Sequence, residues 1–258
     1  MRESGTLFHA KHAFMPNSLG YCGPDQNGVI QQHLEDGKVG EGLVRTLQGF
    51  EAAYPFLRLI ARNAGKDVFD YSVPEAYWIG NSLLGEVSPE DFYDFTCNEL
   101  VGMGSSGIRE NFRNLGGGGI PHHTFYVMGT YVGAGPKDGP NPIDDGAEKV
   151  AHLIDNCRIS WGKVEKVEGR NELAVRYRPV EIGEDGLGLA PPKLKRVRYN
   201  PEVKPFDSIA AGDVVSIHWE YACDILSPRQ IRNISKYTYM DLKLINRLQS
   251  GPGRRGRR

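Results

Sequence analysis

The spacing of apolar residues changes along this chain from a helical to an alternating pattern. Between Val39 and Ala64 the apolar side chains recur three or four residues apart, as on one face of an amphipathic helix. After Asn156 they recur every second residue, which is typical of strands that bury one face. Because the two periods require different backbone conformations, the pattern predicts helices in the first part of the chain and strands in the second.

Local signals predict further elements in the first half. The helix of residues 39–64 is expected to end at Gly65. Helix starts are expected at 72–75 and 88–91, where serine, proline and acidic residues coincide. The segment 122–127 is predicted to be a strand. The first half is therefore predicted to be mostly helical.

Two glycine-rich stretches lie between these elements and the second half. Residues 102–121 include four consecutive glycines but lack the GxxxxGK[ST] arrangement of a phosphate-binding loop, so nucleotide binding is not expected. Residues 133–142 are rich in proline and glycine and form the natural linker. A short helical pattern follows at 147–155. This order predicts a domain boundary near residue 146, with a separate core on each side.

The region after the linker contains short alternating segments. They lie at 159–167, 173–177, 194–199 and 214–219. Strands of this length and spacing predict a small antiparallel barrel. Ser227 and Gln230 have the spacing of a capping box, which predicts a closing helix packed on that barrel.

These elements predict an α+β fold with two domains. Residues 1–146 are expected to form a mainly α-helical domain, and residues 147–250 a small antiparallel β-barrel with a C-terminal helix. Residues 251–258 contain four arginines and are expected to form a disordered basic tail.

Composition excludes several classes of protein. The formal net charge of −1 argues against an extended surface for nucleic acid. No run approaches the roughly 20 apolar residues that span a bilayer, and the first residues lack a secretory pattern, so a cytoplasmic protein is expected. The four cysteines are widely spaced and include no CxxC pair. Cysteine chemistry is therefore expected from single thiols that meet other groups in space.

Two segments of the second half are similar to those of a known family. The first, residues 157–167, opens with Cys157 and continues through a hydrophobe and a glycine into a strand. The second, residues 212–222, combines a glycine, a valine-rich strand, His218 and a short apolar-aromatic run. With the helix that follows, residues 156–245 resemble the HypC/HupF-type nickel–iron hydrogenase maturation chaperones.

The resemblance implies a metal-presenting function. Members of that family use a small barrel to present a cysteine to an iron that carries cyanide and carbon monoxide. It implies that Cys157 is a thiolate ligand and that His218 is its functional neighbour. It also implies a partner, either another maturation protein or the hydrogenase large subunit.

The predicted barrel has a geometric consequence for these two residues. Cys157 precedes the first strand and His218 ends a later one, so both should reach the same rim. We expect their sulfur and ring to lie about 3–6 Å apart. A neighbouring imidazole is also expected to lower the pKa of the thiol, which would then react faster than free cysteine.

A second cluster of candidate residues lies in the first half. Tyr21 and Cys22 occupy a predicted rigid turn, and His122 and His123 could complete a cofactor site with them. The alternative is a core cysteine beside a tight turn, with the remaining histidines at the surface; these are His9, His12, His33 and His152. This half more loosely resembles uncharacterised proteins of hydrogenase gene neighbourhoods.

Two functions follow from these candidates. The first is an accessory or chaperone protein that presents Cys157, with His218, to an iron centre or a partner. The second is a metal- or cysteine-dependent enzyme with its site around Cys22 and His122 or His123.

Overall fold

The structure is a computed structural model that describes residues 4–99, 119–133, 146–183 and 186–249. Most of the first glycine-rich stretch, the predicted linker and the predicted basic tail lie outside these residues. The described part confirms the predicted α+β fold, with helices first, a closed five-stranded barrel next and a helix at the end.

The described residues include nine α-helices. They are α1 (Gly5–Ser18), α2 (Asn27–Asp36), α3 (Glu41–Gln48), α4 (Tyr54–Ala64), α5 (Ser72–Trp78), α6 (Pro89–Asn98), α7 (His123–Gly133), α8 (Ala147–Cys157) and α9 (Pro228–Gln249). Among these helices, none combines the length and the apolar character needed to cross a membrane.

Helix α1 lies at the centre of the molecule. The Ser4 side chain caps its first turn by accepting a hydrogen bond from the Thr6 backbone N–H at 3.2 Å. Side chains on every face of α1 are buried, including Phe8 and His12. The helix packs against α2 and α5 on one side and against the barrel on the other. A helix that is buried all round needs no amphipathic stripe.

Several predicted helix boundaries are confirmed. Helices begin at residues 72 and 89, and Ser88 caps the second by accepting from the Asp91 N–H at 3.0 Å. Residues 147–155 lie within α8. The predicted capping box is present, because the Ser227 N–H donates to the Gln230 side-chain oxygen at 3.0 Å.

Two predictions of secondary structure in the first half are wrong. Residues 39–64 form two helices, α3 and α4, because the chain turns at Gly49 and Pro55 occupies the first turn of a new helix. Residues 123–127 belong to α7 rather than to a strand. Helix α7 packs against α8 and α9, so burial among helices overrides the strand preference of its aromatic residues.

Seven strands follow α8. They are β1 (Ser160–Glu168), β2 (Glu172–Tyr177), β3 (Val180–Gly183), β4 (Gly186–Leu189), β5 (Lys193–Arg198), β6 (Val214–His218) and β7 (Tyr221–Ile225). Five of them close a barrel in the order β1-β2-β5-β7-β6, and β3 and β4 form a separate hairpin. The barrel is antiparallel except where β5 meets β7, at the pair Arg198 and Tyr221.

The turn between β6 and β7 has an unusual backbone. It consists of Trp219 and Glu220, and both residues have positive φ angles, 50° and 62°. Two-residue hairpin turns of type I′ require this conformation but normally use glycine, asparagine or aspartate. The Trp219 N–H donates to the Asn156 carbonyl at 2.9 Å, so the strained turn is tied to the last turn of α8.

The C-terminal helix packs differently from the prediction. Its apolar residues Ile234 and Leu242 are buried and Arg232 and Lys236 are exposed, as on an amphipathic helix. Its main contacts, however, are α7 and strand β4 rather than the closed barrel. The Arg229 guanidinium also binds the buried Glu75 carboxylate of α5 at 2.7 Å. The helix therefore joins the helical part to the hairpin.

The buried apolar residues of the described chain form one contiguous cluster. It includes Phe8 of α1, Tyr77 of α5, Val215 of β6 and Ile234 of α9. The cluster is continuous because α1 buries side chains against helices and barrel together. The division of the chain near residue 146 stays a prediction.

Gly80 allows α9 to dock, and its replacement should show this. Gly80 has φ 93°, and an added Cβ would overlap the ring of Tyr237. Gly212 has φ 103° with no atom near its Cβ position, so Gly212→Ala is a matched control for backbone strain alone. We expect Gly80→Ala to lower the free energy of unfolding by about 1–3 kcal/mol more than Gly212→Ala. Urea denaturation measures both, and equal losses would contradict this role.

Candidate metal centre

Three side chains from different elements meet between the helices and the barrel. They are His123 at the start of α7, Cys157 at the end of α8 and His218 at the end of β6. One potential ligand atom from each lies within 4.8 Å of the other two. The expected proximity of Cys157 and His218 is confirmed by this distance. The hydrogen bond from Trp219 to Asn156 accounts for it, because it ties the residue after His218 to the residue before Cys157.

His218 presents an unused nitrogen to this cluster. Its Nδ1 lies 2.7 Å from the His12 carbonyl oxygen of α1 and must donate, because a carbonyl only accepts. Its Nε2 is buried and has no hydrogen-bond partner. Burial lowers the pKa of His218 to about 4, against the opposing effect of the His12 and Cys157 carbonyls. At neutral pH the Nε2 therefore carries a free lone pair, as a metal ligand requires.

His123 is held by hydrogen bonds on both ring nitrogens. Its Nε2 donates to the Cys157 carbonyl at 2.9 Å. The ring is neutral at pH 7, since burial places the pKa of His123 well below its usual range. Its Nδ1 therefore carries a lone pair, which accepts a hydrogen bond from the Tyr77 hydroxyl at 3.1 Å. A rotatable hydroxyl can turn away, so this nitrogen can exchange its proton donor for a metal ion.

The thiol of Cys157 is not activated in the way that the sequence suggested. Burial raises its pKa to about 12, the charge of Cys22 raises it further, and the Trp219 indole acts in the opposite direction. Both neighbouring imidazoles are neutral and supply no positive charge to stabilise a thiolate. The expectation of a lowered pKa is therefore wrong. A cation bound at the cluster would lower the pKa of Cys157, because it would stabilise the thiolate directly.

The cluster opens into a pocket of about 360 Å³. The pocket also contains Tyr21 and Cys22, so with His123 three of the four predicted cofactor residues join Cys157 and His218 there. The rings of Tyr21 and Trp219 lie 4.4 Å apart at this pocket. Residues that the sequence placed in two separate candidate sites thus share one cavity.

His122 lies outside this pocket. Its Nδ1 contacts the Asp241 carboxylate of α9 at 2.6 Å, and both side chains are fully buried. Burial raises the pKa of Asp241 to about 6, and its interactions with His122 oppose that shift. The adjacent histidines therefore point in different directions, His123 toward the cluster and His122 toward the C-terminal helix.

Sequence reasoning missed the residues that support the cluster. Trp78 contacts four histidine rings, with centroid distances of 4.5–5.7 Å; they are His9, His12, His123 and His218. His9 and His12 are buried, which corrects their expected surface position, whereas His152 is exposed. The spacing of the histidines on α1 does not indicate that they are buried, because the residues that cover them lie on β6, α5 and α7.

The chain matches over residues 1–251 the model of a protein family described as a family of unknown function, DUF6390. It belongs to this family. No curated protein and no solved structure matches it. The family assignment covers the helical part and the barrel together. The similarity to hydrogenase maturation chaperones stays a prediction.

The raised pKa of Cys157 predicts slow alkylation of the metal-free protein. At pH 7 nearly all of this thiol is protonated, so iodoacetamide should react with it at least about tenfold more slowly than with free cysteine. The rate should still be rising between pH 7 and pH 9, because the thiolate fraction grows with pH. Peptide mass spectrometry at timed intervals measures the rate. If Cys157 reacted faster than free cysteine, its thiol would be activated and this prediction would be wrong.

Proposed function

We propose that this protein binds a transition-metal ion through His123, Cys157 and His218, with the remaining coordination positions of the ion facing the pocket. The observation that supports it most directly is the buried Nε2 of His218, which has no partner beside a thiol and a second imidazole. Leaving a buried acceptor unpaired costs about 1–3 kcal/mol. A bound ion would remove that cost.

The donor set favours a transition metal over magnesium or calcium. Thiolate and imidazole are soft or borderline ligands, whereas magnesium and calcium select oxygen ligands. Two neutral imidazoles and one cysteine leave at least one position of a tetrahedral ion open, as in catalytic rather than structural zinc sites. The hydrogen bond from His218 to the His12 carbonyl fixes the ring in the way that outer partners orient metal-binding histidines.

The arrangement favours a centre that acts inside the pocket. Cys157 is half-buried and its backbone is fixed by α8 and by the bond from His123. A thiol that hands iron to a partner would have to leave this position. A metal-dependent enzyme or a metal-binding site therefore fits this arrangement better than a protein that donates iron through a mobile thiol.

The accessory role in hydrogenase maturation is the second candidate. The nearness of Cys157 and His218 favours it, because the family resemblance implies that pair. Three protein ligands would leave three positions of an octahedral iron for cyanide and carbon monoxide. Infrared spectra of protein purified without oxygen distinguish the candidates, since those ligands absorb where protein does not. Absence of their bands from iron-loaded protein would contradict this role.

Metal binding is tested with anaerobic, reduced protein and cobalt(II). We expect about one ion per chain, with the absorption of a cobalt–thiolate bond. Cys157→Ser should remove the thiolate band and weaken binding more than about tenfold, because a hydroxyl remains protonated and is a poor ligand. Equilibrium dialysis and absorption spectroscopy measure the two effects.

Cys97 provides the matched control for that experiment. It is also a half-buried cysteine but lies on α6 and does not line the pocket. Cys97→Ser should bind cobalt like the unaltered protein, and circular dichroism should show that both variants are folded. Equal cobalt binding by Cys157→Ser and Cys97→Ser would overturn the proposed site.

A further inference from the structure

The pocket beside the candidate metal centre is lined without charge. Of the residues that line it in the described part of the chain, none is Asp, Glu, Lys or Arg. Its walls are mainly aromatic or aliphatic, with Phe50, Trp78, Tyr126 and Leu153 among them. A charged ligand that entered would lose hydration without gaining an opposite side-chain charge in return.

A negatively charged side chain acts on this pocket. Glu51 lies next to the lining residues Phe50 and Ala52, and its side chain is exposed. Its charge adds to burial in raising the pKa of Cys22 to about 11. An approaching anion would meet the same repulsion.

The volume of the pocket exceeds the needs of one diatomic ligand. At about 360 Å³ it falls within the range of roughly 300–1,000 Å³ that is usual for small-molecule sites. Such sites combine apolar walls with a few polar groups that fix the ligand. Here those groups would be the metal ion and the hydroxyl of Tyr77.

The charge of the loaded centre restricts the ligand further. A divalent ion with one thiolate and two neutral imidazoles retains one net positive charge inside an apolar pocket. A ligand that arrives neutral and loses one proton at the metal would cancel it. A ligand that also carries a carboxylate would leave a net negative charge near Glu51.

We propose that this pocket binds an uncharged, largely apolar small molecule that has one ionisable donor atom, which coordinates the metal ion. The inference rests on the proposed metal site. For a thiol RSH, the step replaces a metal-bound water: RSH and the aqua centre give the metal thiolate and a hydronium ion. The sulfur keeps its electron pair, the proton leaves with the water, and no electron is transferred.

Three benzylic thiols test the inference on the cobalt-loaded protein. Benzyl mercaptan is neutral, 4-(mercaptomethyl)benzoate carries a carboxylate, and the methyl ester of the latter restores neutrality at greater size. All three offer the same sulfur donor. We expect the two neutral thiols to bind at least about tenfold more tightly than the carboxylate, as followed by the cobalt–thiolate absorption.

A positive charge placed in the wall should reduce this preference. Ala52 is a half-buried lining residue outside the helices and strands. Ala52→Lys should raise the affinity for 4-(mercaptomethyl)benzoate by at least about fivefold relative to Ala52→Gln, which is similar in length but uncharged. The affinity for benzyl mercaptan should fall equally in both variants.

The outcomes separate the inference from the proposed function. Failure of the folded protein to bind cobalt would overturn both. Cobalt binding without any response to the neutral thiols, or with equal affinity for the carboxylate, would overturn the inference and leave the metal site intact. A preference for neutral thiols that Ala52→Lys reduces and Ala52→Gln retains supports it.

Discussion

Polar bonds between α1 and the barrel hold the two parts of this protein in one arrangement. The Lys11 ammonium lies 3.4 Å from the Asp224 carboxylate, His12 Nε2 lies 3.1 Å from the Ser216 hydroxyl, and the His12 carbonyl accepts from His218. Each group is buried, so separating it from its partner would raise the free energy of the folded state. Helix and barrel therefore dock in one register. The candidate metal centre depends on that register because His218 is one of the bonded residues.

The sequence predicted features that are determined locally. Ser88 and Ser227 cap helices through residues three positions away, and the alternating pattern after Asn156 requires only neighbouring strands. Cys157 and His218 came from the resemblance, and barrel topology was enough to bring them together. The support from His12 and Trp78 was not predictable, since it depends on how α1 and α5 pack against β6. His123 was identified as a candidate, but its segment was assigned to a strand because a short apolar run does not distinguish strand from buried helix.

Several neutral imidazoles lie among aromatic rings at the centre of the molecule. Burial lowers the pKa of His9 and His12 to about 3. Neither ring is protonated at neutral pH, so the surroundings of the cluster remain uncharged and its dielectric constant low. Electrostatic interactions of a bound ion would therefore be screened little. The same environment explains why an unpaired nitrogen such as His218 Nε2 is unfavourable when no ion is present.

The bond between His12 and His218 joins residues 206 positions apart in the chain. A growing polypeptide exposes α1 long before β6 has been synthesised, and contacts at such separation form late and slowly. The three candidate ligand residues lie at positions 123, 157 and 218, and His218 takes its orientation from the first helix. A nascent chain that ends before β6 lacks His218 and consequently cannot assemble this cluster. If the cluster binds a metal ion, binding would require a chain that has been synthesised through β6.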